Sequence, residues 1–211
     1  MQLNRDKQVK DFKREFIVQA AENLLKEIGL AKLTMDLVAE KASYTKRTVY
    51  RYFMSKEDIL LEIYIRHSLQ KWAFQKIEMQ NAEPGIARLK ALGSSYFSYF
   101  KQNPHFLQLA VYFDMTGFDF SVERSESLKD LYMQLYEIDQ EAKHYVLNEI
   151  ETAKMNLDIR SEYTSDYIKS YLYYSIRAIS NQLINPPPNR ICYQEEKFFW
   201  DFLEIFIKGL K

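Results

Sequence analysis

Apolar residues recur at spacings of three and four almost everywhere along this chain, and strictly alternating apolar and polar runs are hard to find. Near the N-terminus, for example, Phe12, Phe16, Ala20 and Leu24 form one apolar stripe of a helix. Only five Gly and five Pro occur in 211 residues, which is few for a fold built from many tight turns. The pattern predicts an all-α protein of about nine helices with no convincing strand.

Capping and breaking residues place the expected helix ends. Gly29 should end the first helix as a left-handed cap, and Thr34 and Ser55 should begin the second and the fourth. The run Pro186–Pro188 cannot continue a helix, so it should end the eighth. We therefore expect helices over about 6–28, 34–41, 45–52, 56–79, 84–101, 104–115, 127–154, 161–184 and 193–210, with a loop over 116–125.

Composition excludes several classes of protein. A hydrophobic content of 47% is too high for a disordered chain. The single cysteine, Cys192, cannot form an internal disulfide or a cysteine-based zinc site, which suits a reducing cytosol. The N-terminus has no apolar signal core, and no apolar run approaches the ~18 residues that span a bilayer. We expect a soluble, cytoplasmic protein with no membrane partner.

Charge is unevenly distributed along the chain, although the formal net charge is zero. Residues 1–56 hold 12 Lys/Arg and 7 Asp/Glu, whereas residues 57–211 hold 17 and 22. A basic head on an acidic body would let one end of the molecule contact a polyanion. A difference of this size can also arise by chance, so the charge pattern by itself leaves both interpretations open.

The segment Thr34–Leu60 has the spacing of a helix-turn-helix motif. Two short helices are separated by a three-residue break at 42–44, and the small Ala39 sits where the helices must cross. Apolar residues occupy the positions at which the two helices would face each other, namely Val38, Ala42, Tyr44 and Val49. We expect a DNA-binding head over residues 1–56 and a helical body over residues 57–211.

The second short helix should enter the major groove with its N-terminal residues nearest the bases. Arg47 can bond a guanine through two hydrogen bonds, and Lys46 suits a phosphate. Taken singly, each such residue is more often a solvated or packing side chain, but together with the turn they favour DNA binding. The predicted DNA contacts are Thr34, Met35, Thr45, Lys46, Arg47, Thr48, Tyr50, Tyr52 and Lys56.

The same segment resembles the signature of the TetR (tetracycline repressor) family of bacterial regulators. The resemblance covers about 30 residues closely and departs at the turn, where Ser43 replaces the usual Gly and Tyr44 a small aliphatic residue. Because the turn requires a positive φ, Ser43 should cost roughly 1 kcal/mol. The residues at the positions of the signature, these two included, are Thr34, Val38, Ala39, Ala42, Ser43, Tyr44, Thr45, Thr48, Val49, Tyr50, Tyr52, Phe53, Ser55, Lys56, Ile59 and Leu60.

The resemblance implies that the body dimerises and binds a small ligand, and that the ligand weakens DNA binding. Independently, the last two helices have apolar faces wide enough for two neighbours, which predicts a four-helix contact between two subunits. A single thick core within one subunit is the alternative. The predicted homodimer contacts are Tyr167, Tyr171, Ile179, Leu183, Phe198, Phe199, Phe202 and Phe206.

Aromatic residues of the middle helices are the candidate ligand contacts, because pockets are mostly apolar with a few placed polar groups. A cavity lined by rings suits a lipophilic or a flat aromatic or cationic compound. The helix over 56–79 would then transmit ligand binding to the head. The candidates are Trp72, Tyr96, Phe97, Phe100, Phe106, Tyr112, Tyr132 and Tyr136.

The sequence offers little to support an enzyme. The three histidines, His67, His105 and His144, are scattered without the spacing of a metal site, and no glycine-rich phosphate loop or serine elbow is present. We expect no catalytic residues, no metal and no cofactor. The best function is a repressor released from a palindromic operator by its ligand, and the alternative is a small-molecule-binding protein with a degenerate DNA-binding head.

Overall fold

Nine α-helices and one short 3₁₀ turn make up the parts of the chain that the computed structural model describes, which are residues 2–116, 126–160, 162–186 and 195–210. Of residues 2–6 and 126–127 the structure describes the backbone but not the side chains. The helices are α1 (Gln2–Ile28), α2 (Met35–Lys41), α3 (Lys46–Tyr50), α4 (Lys56–Gln80), α5 (Ile86–Gln102), α6 (Pro104–Thr116), α7 (Glu126–Met155), α8 (Ser165–Ile184) and α9 (Glu195–Lys208). Within these ranges no strand occurs, so the all-α prediction is confirmed.

Helix ends agree with the sequence wherever capping chemistry sets them. The Thr34 hydroxyl accepts the backbone N–H of Leu37 at 3.3 Å, and the Ser55 hydroxyl accepts that of Asp58 at 3.3 Å, as their positions before α2 and α4 predicted. Gly29 has the expected positive φ of 78°, but its ψ of 168° is extended rather than left-handed helical. The difference arises because the 3₁₀ turn Leu30–Lys32 follows at once.

Other predicted ends were wrong by several residues. Helix α1 begins at Gln2 rather than near residue 6, and α3 ends at Tyr50 rather than at Tyr52. Pro84 precedes α5, whose N-cap is Gly85, and α8 begins at Ser165 because the Thr164 hydroxyl caps it. Most of the predicted loop over 116–125 and most of the predicted proline stop over 186–188 lie outside the described residues.

The chain divides into two compact units. The first comprises residues 1–67 and 108–134, and the second comprises residues 68–107 and 135–211. In the first unit, α1 packs on α2, and α2 packs on α3. Its core contains fully buried residues of α1, α2, α3 and α4, among them Ile17, Val38, Val49 and Leu60. These are the apolar positions that hold a helix-turn-helix together.

Helices α5, α8 and α9 pack against one another in the second unit. Their close approach is centred on Gly93 of α5, where an added Cβ would lie 2.9 Å from Cδ1 of Ile176 and 3.1 Å from Cδ1 of Leu203. Phe97, one turn further along α5, stacks on Phe199 of α9 with ring centroids 4.3 Å apart. The ring of Phe199 is fully buried, so this stack is part of the core.

Neither a membrane span nor a metal cluster is present in the described ranges. No helix there is both long and apolar enough to cross a bilayer. Nor does any group of three or more His, Cys, Asp or Glu residues come together as a metal-ion site would require.

Candidate nucleic-acid interface

The turn between α2 and α3 is a Schellman motif. The backbone N–H of Ser43 donates to the carbonyl of Glu40 at 3.0 Å, and that of Tyr44 donates to the carbonyl of Ala39 at 2.9 Å. Ser43 occupies the left-handed position with φ 54°, as the motif requires. The predicted positive φ is therefore confirmed, and the turn forms without the usual glycine.

Helix α3 is short and is capped by its own hydroxyl groups. The Thr45 hydroxyl accepts the backbone N–H of Thr48 at 3.2 Å and lies 2.9 Å from the Thr48 hydroxyl. Val49 is the buried residue that anchors the helix to the core. Because only this face is buried, the start of α3 presents its polar side chains to solvent.

Arg47 is the freest donor on α3. Its side chain is exposed and forms no ion pair with any residue that the structure describes. Lys46, in contrast, forms an ion pair with Asp36 of α2, with Nζ 2.6 Å from Oδ2. Since both partners are more than half exposed, this pair is weak and can exchange for a phosphate.

The remaining predicted contacts differ in their exposure. Tyr50 is half exposed, and Lys56 is partly exposed at the first position of α4 without an ion pair in the described parts of the chain. Met35 is buried, so only its backbone could contact DNA, whereas the side chain of Thr34 is exposed. Tyr52 is buried under the guanidinium of Arg51, which favours a packing role for its ring.

A buried carboxylate joins α1 to α4 beside this region, and the sequence analysis missed it. Glu62 is 1% exposed and pairs with both Arg14 of α1 and Arg66 of α4. Arg14 also lies over the ring of Phe53, 4.3 Å from its centroid, and donates to the carbonyl of Tyr52 at 3.2 Å. The network fixes α1 and the end of the helix-turn-helix to the first three turns of α4.

The predicted ligand contacts divide between the two units. Tyr112 and Tyr132 belong to the first unit, and Tyr112 lines an open cleft of about 530 Å³ with Gln108, Lys56 and residues 28–32. Tyr136 is half exposed on α7. The other predicted contacts are buried in the second unit, namely Trp72, Tyr96, Phe97, Phe100 and Phe106.

A lysine lies among these buried rings. The Lys71 ammonium is 5.4 Å from the ring centroid of Tyr96 and 5.8 Å from that of Phe100. Burial lowers the pKa of Lys71 to about 8, because the charged form loses its hydration. Nearby, the Trp72 indole N–H donates to Glu141 at 2.9 Å. Sequence patterns indicate the rings here but not the cation beside them.

The predicted dimer residues on α8 and α9 fall into two groups. Leu183 and Phe199 are buried within the subunit and so are not available to a partner. Tyr167 and Tyr171 are 58% and 52% exposed and stack on each other with centroids 6.2 Å apart. The remaining four, Ile179, Phe198, Phe202 and Phe206, are partly exposed.

Residues 17–63 match the family described as bacterial regulatory proteins, tetR family. These residues contain the helix-turn-helix, with its Schellman turn, its capped α3 and the exposed Arg47. This segment is a helix-turn-helix domain of the TetR family of transcriptional regulators. The chain is a DNA-binding regulator, as the resemblance in the sequence predicted. No curated protein sequence matches the chain.

Solved structures of TetR-like regulators share the fold over nearly the whole length. A tetR-family regulatory protein from Rhodococcus RHA1 is 13% identical with a TM-score of 0.67, over 94% of this chain and 96% of that one. KstR2, a ketosteroid transcriptional regulator of Mycobacterium tuberculosis, is 12% identical with a TM-score of 0.65, over 94% of each chain. FadR from Bacillus subtilis, solved with stearoyl-CoA, is 16% identical with a TM-score of 0.65, over 93% of this chain and 99% of that one.

Proposed function

We propose that this TetR-family regulator is a repressor that binds a two-fold repeated operator as a homodimer and is released by a small lipophilic ligand. DNA binding is assigned to residues 1–56, and ligand sensing and dimerisation to residues 57–211. The observation that carries the proposal is Arg47, an exposed guanidinium without an ion-pair partner in the described chain, on a helix held by a correctly formed turn. The proposal gives the chain no enzymatic activity.

Arg47 is proposed to read a base and Lys56 to hold a phosphate. An Arg–guanine pair discriminates by about 1–3 kcal/mol, whereas a phosphate contact carries no sequence information. Thr45, Thr48 and Tyr50, on either side of Arg47, are proposed to make further contacts with the DNA backbone.

These two roles are separated by binding assays on a duplex selected from a random pool. Arg47→Ala should reduce the preference for that duplex over an unrelated one about 5-fold to 150-fold. Lys56→Ala should weaken both duplexes equally, and Lys101→Ala, an exposed lysine on α5, is the matched control. An unchanged preference in Arg47→Ala would refute its assignment as the base reader.

The proposed subunit contact uses the exposed aromatic row of α8 and the adjoining face of α9. Tyr163, Tyr167 and Tyr171 stack successively, and Tyr171 stacks on Phe206 with centroids 5.0 Å apart. Ile205 of α9 is 71% exposed. Rings exposed in such a row are typical of a surface that another protein covers.

Charge introduced on this row tests the contact. The double variant Tyr167→Glu and Ile205→Glu should convert the dimer into a folded monomer, because both side chains are exposed within the subunit. Tyr136→Glu, at a half-exposed tyrosine of α7, is the control and should remain dimeric. Light scattering after gel filtration gives the mass, and an unchanged dimer in the double variant would rule out this face.

The proposed ligand binds among the buried rings of the second unit. Of the two classes that the sequence left open, the Lys71 ammonium beside the rings of Tyr96 and Phe100 disfavours a cationic ligand, because like charges in a poorly hydrated site repel. A lipophilic compound remains, and the likeness to the FadR structure with stearoyl-CoA makes a long acyl chain the first class to test.

Helix α4 is the proposed transmitter, since this single helix has residues in both units. A coupling of about 1–3 kcal/mol would lower operator affinity about 5-fold to 150-fold. Calorimetry with stearoyl-CoA should show weaker binding to the DNA-bound protein than to the free protein. Equal affinities would contradict release by this ligand, and a helical binding protein with an inactive head would bind the ligand but no duplex.

A further inference from the structure

Helix α1 extends well beyond the part of the chain that the TetR family pattern describes. The family match begins at residue 17, whereas α1 begins at Gln2. Residues 2–16, the N-terminal arm, are therefore a part of α1 that lies outside the family match. Its core-facing residues begin only at Ile17 and Val18, so hydrophobic burial does not account for most of the arm.

The base of the N-terminal arm contacts the chain on both sides of α3. Phe16 meets the ring of Tyr44 edge-on at 6.1 Å, and Tyr44 directly precedes Thr45, the N-cap of α3. At the other end, Arg14 donates to the carbonyl of Tyr52, two residues beyond the end of α3. The arm thus leaves the domain from a point that touches both flanks of the helix that reads DNA. Tyr44, where the family has a small residue, supplies one of these contacts.

Unpaired positive charge is concentrated on the N-terminal arm. Lys7 and Lys10 are exposed, Lys13 is partly exposed, and none of the three forms an ion pair with a residue that the structure describes. Three other lysines of the head are paired, namely Lys26 with Glu22, Lys41 with Glu27 and Lys46 with Asp36. Asp11 is the one acidic side chain of residues 7–16 without an ion pair among the described residues.

Glu15, the other acidic residue of the described part of the arm, is held by Arg66 at 2.7 Å. The arm therefore presents three ammonium groups against one free carboxylate. An excess of unpaired ammonium groups along one helix matches the phosphate backbone of a duplex, because contacts with phosphates release condensed counterions. It also continues directly from the surface around α3.

We propose that the N-terminal arm is a second DNA-binding element, in which Lys7, Lys10 and Lys13 contact phosphates that flank the groove entered by α3. The inference rests on the proposed operator binding and adds a longer footprint to it. The contacts are with the backbone, so they raise affinity and its dependence on salt without changing base preference.

Salt dependence measures these contacts directly. The triple variant Lys7→Gln, Lys10→Gln and Lys13→Gln is compared with the wild type on a selected duplex, from about 50 to about 200 mM salt. Each phosphate contact contributes about 0.9 to the slope of log affinity against log salt, so the slope should fall by about 2.7 per protomer. The control replaces Lys101, Lys129 and Lys143, three exposed lysines outside the head, by glutamine and should keep the wild-type slope.

A variant that makes the arm more positive, rather than less, separates a direct contact with DNA from a structural effect. Asp11→Asn removes the free carboxylate of the arm and should tighten binding and raise the protection of flanking phosphates in a footprint, whereas a merely structural arm would give no gain. A triple variant with the slope of its control would overturn the inference while leaving operator binding intact. A wild-type protein that bound no duplex would overturn both proposals.

Anionic vesicles of phosphatidylglycerol test the other polyanionic surface that such a helix could meet. The triple variant and the wild type should both fail to bind these vesicles at the salt concentrations used for DNA. Vesicle binding that depends on the three lysines, combined with an unchanged DNA slope, would contradict the inference and assign the arm to a membrane surface.

Discussion

Replacement of Ser43 by glycine should stabilise the protein, although it removes atoms and adds no contact. Ser43 has φ 54°, where the Cβ of an L-residue crowds the backbone. This crowding costs the folded state about 1–2 kcal/mol, which glycine would recover. Glycine also has greater conformational freedom in the unfolded chain, and this offsets about 0.5–1 kcal/mol of that gain. The net gain should therefore be about 1 kcal/mol, which raises the melting temperature by about 2–4 °C for a chain of this size.

Two matched variants isolate the cause. Ser43→Ala keeps the Cβ and removes only the hydroxyl, which makes no hydrogen bond in the described structure, so it should be close to neutral. Leu157→Gly repeats the test in a second Schellman motif, where Leu157 has φ 62° and is 90% exposed, and Asp158 donates to the carbonyl of Ala153 at 2.8 Å. It should give a similar gain.

Urea unfolding gives the free energies, with an unchanged slope showing that only stability has altered. Equal stability of Ser43→Gly and Ser43→Ala would refute the argument, because it would mean that the Cβ of Ser43 carries no strain. Such a result would also imply that serine in place of the usual glycine does not lower the free energy of unfolding.

Three further predictions concern charged side chains that the fold buries wholly or in part. Lys71→Met should stabilise the fold at pH 7 by up to about 3 kcal/mol, because the folded protein holds the Lys71 proton less tightly, with a pKa of about 8, than the unfolded chain does. The gain should disappear above pH 10.5, where the unfolded chain has lost this proton as well. Glu62→Gln should cost about 2–3 kcal/mol in urea unfolding, since it leaves Arg14 without an ion pair among the described residues and Arg66 with Glu15 alone, whereas Glu78→Gln on the exposed face of the same helix should not. His67 holds the pKa of Glu22 near 2, so the stability this carboxylate contributes is present above pH 4.5 and lost as the pH falls towards 2; Glu22→Gln should flatten that part of the thermal stability profile.

Local capping chemistry made the head predictable from its sequence. The hydroxyl groups of Thr34 and Ser55 cap their helices by accepting a backbone N–H three residues further along the chain, and the positive φ at position 43 follows from the length of the turn. The carboxylate of Glu62 could not be found in the same way. Its partner Arg14 is 48 residues away, so only the packing of α1 on α4 brings the two side chains together.

The body was harder to predict because hydrophobicity does not separate core from surface. Phe199 and Trp200 are neighbours of similar character, yet Phe199 is fully buried and Trp200 is 48% exposed. Tyr136 and Tyr96 were both predicted to contact the ligand, but only Tyr96 is buried. The identity of each face depends on which helices meet it, and the sequence alone gives no register between α5, α8 and α9.

A hydroxyl-radical footprint on a duplex selected by the full-length protein shows whether a dimer reads DNA with α3. Two protomers that each place α3 in a major groove should protect two segments related by a two-fold axis, with centres one helical turn of about 34–36 Å, or a multiple of it, apart. Arg47→Ala should lose this pattern on the selected duplex while keeping salt-sensitive binding. A single protected segment, or protection that does not change in Arg47→Ala, would contradict a dimer that reads DNA with α3.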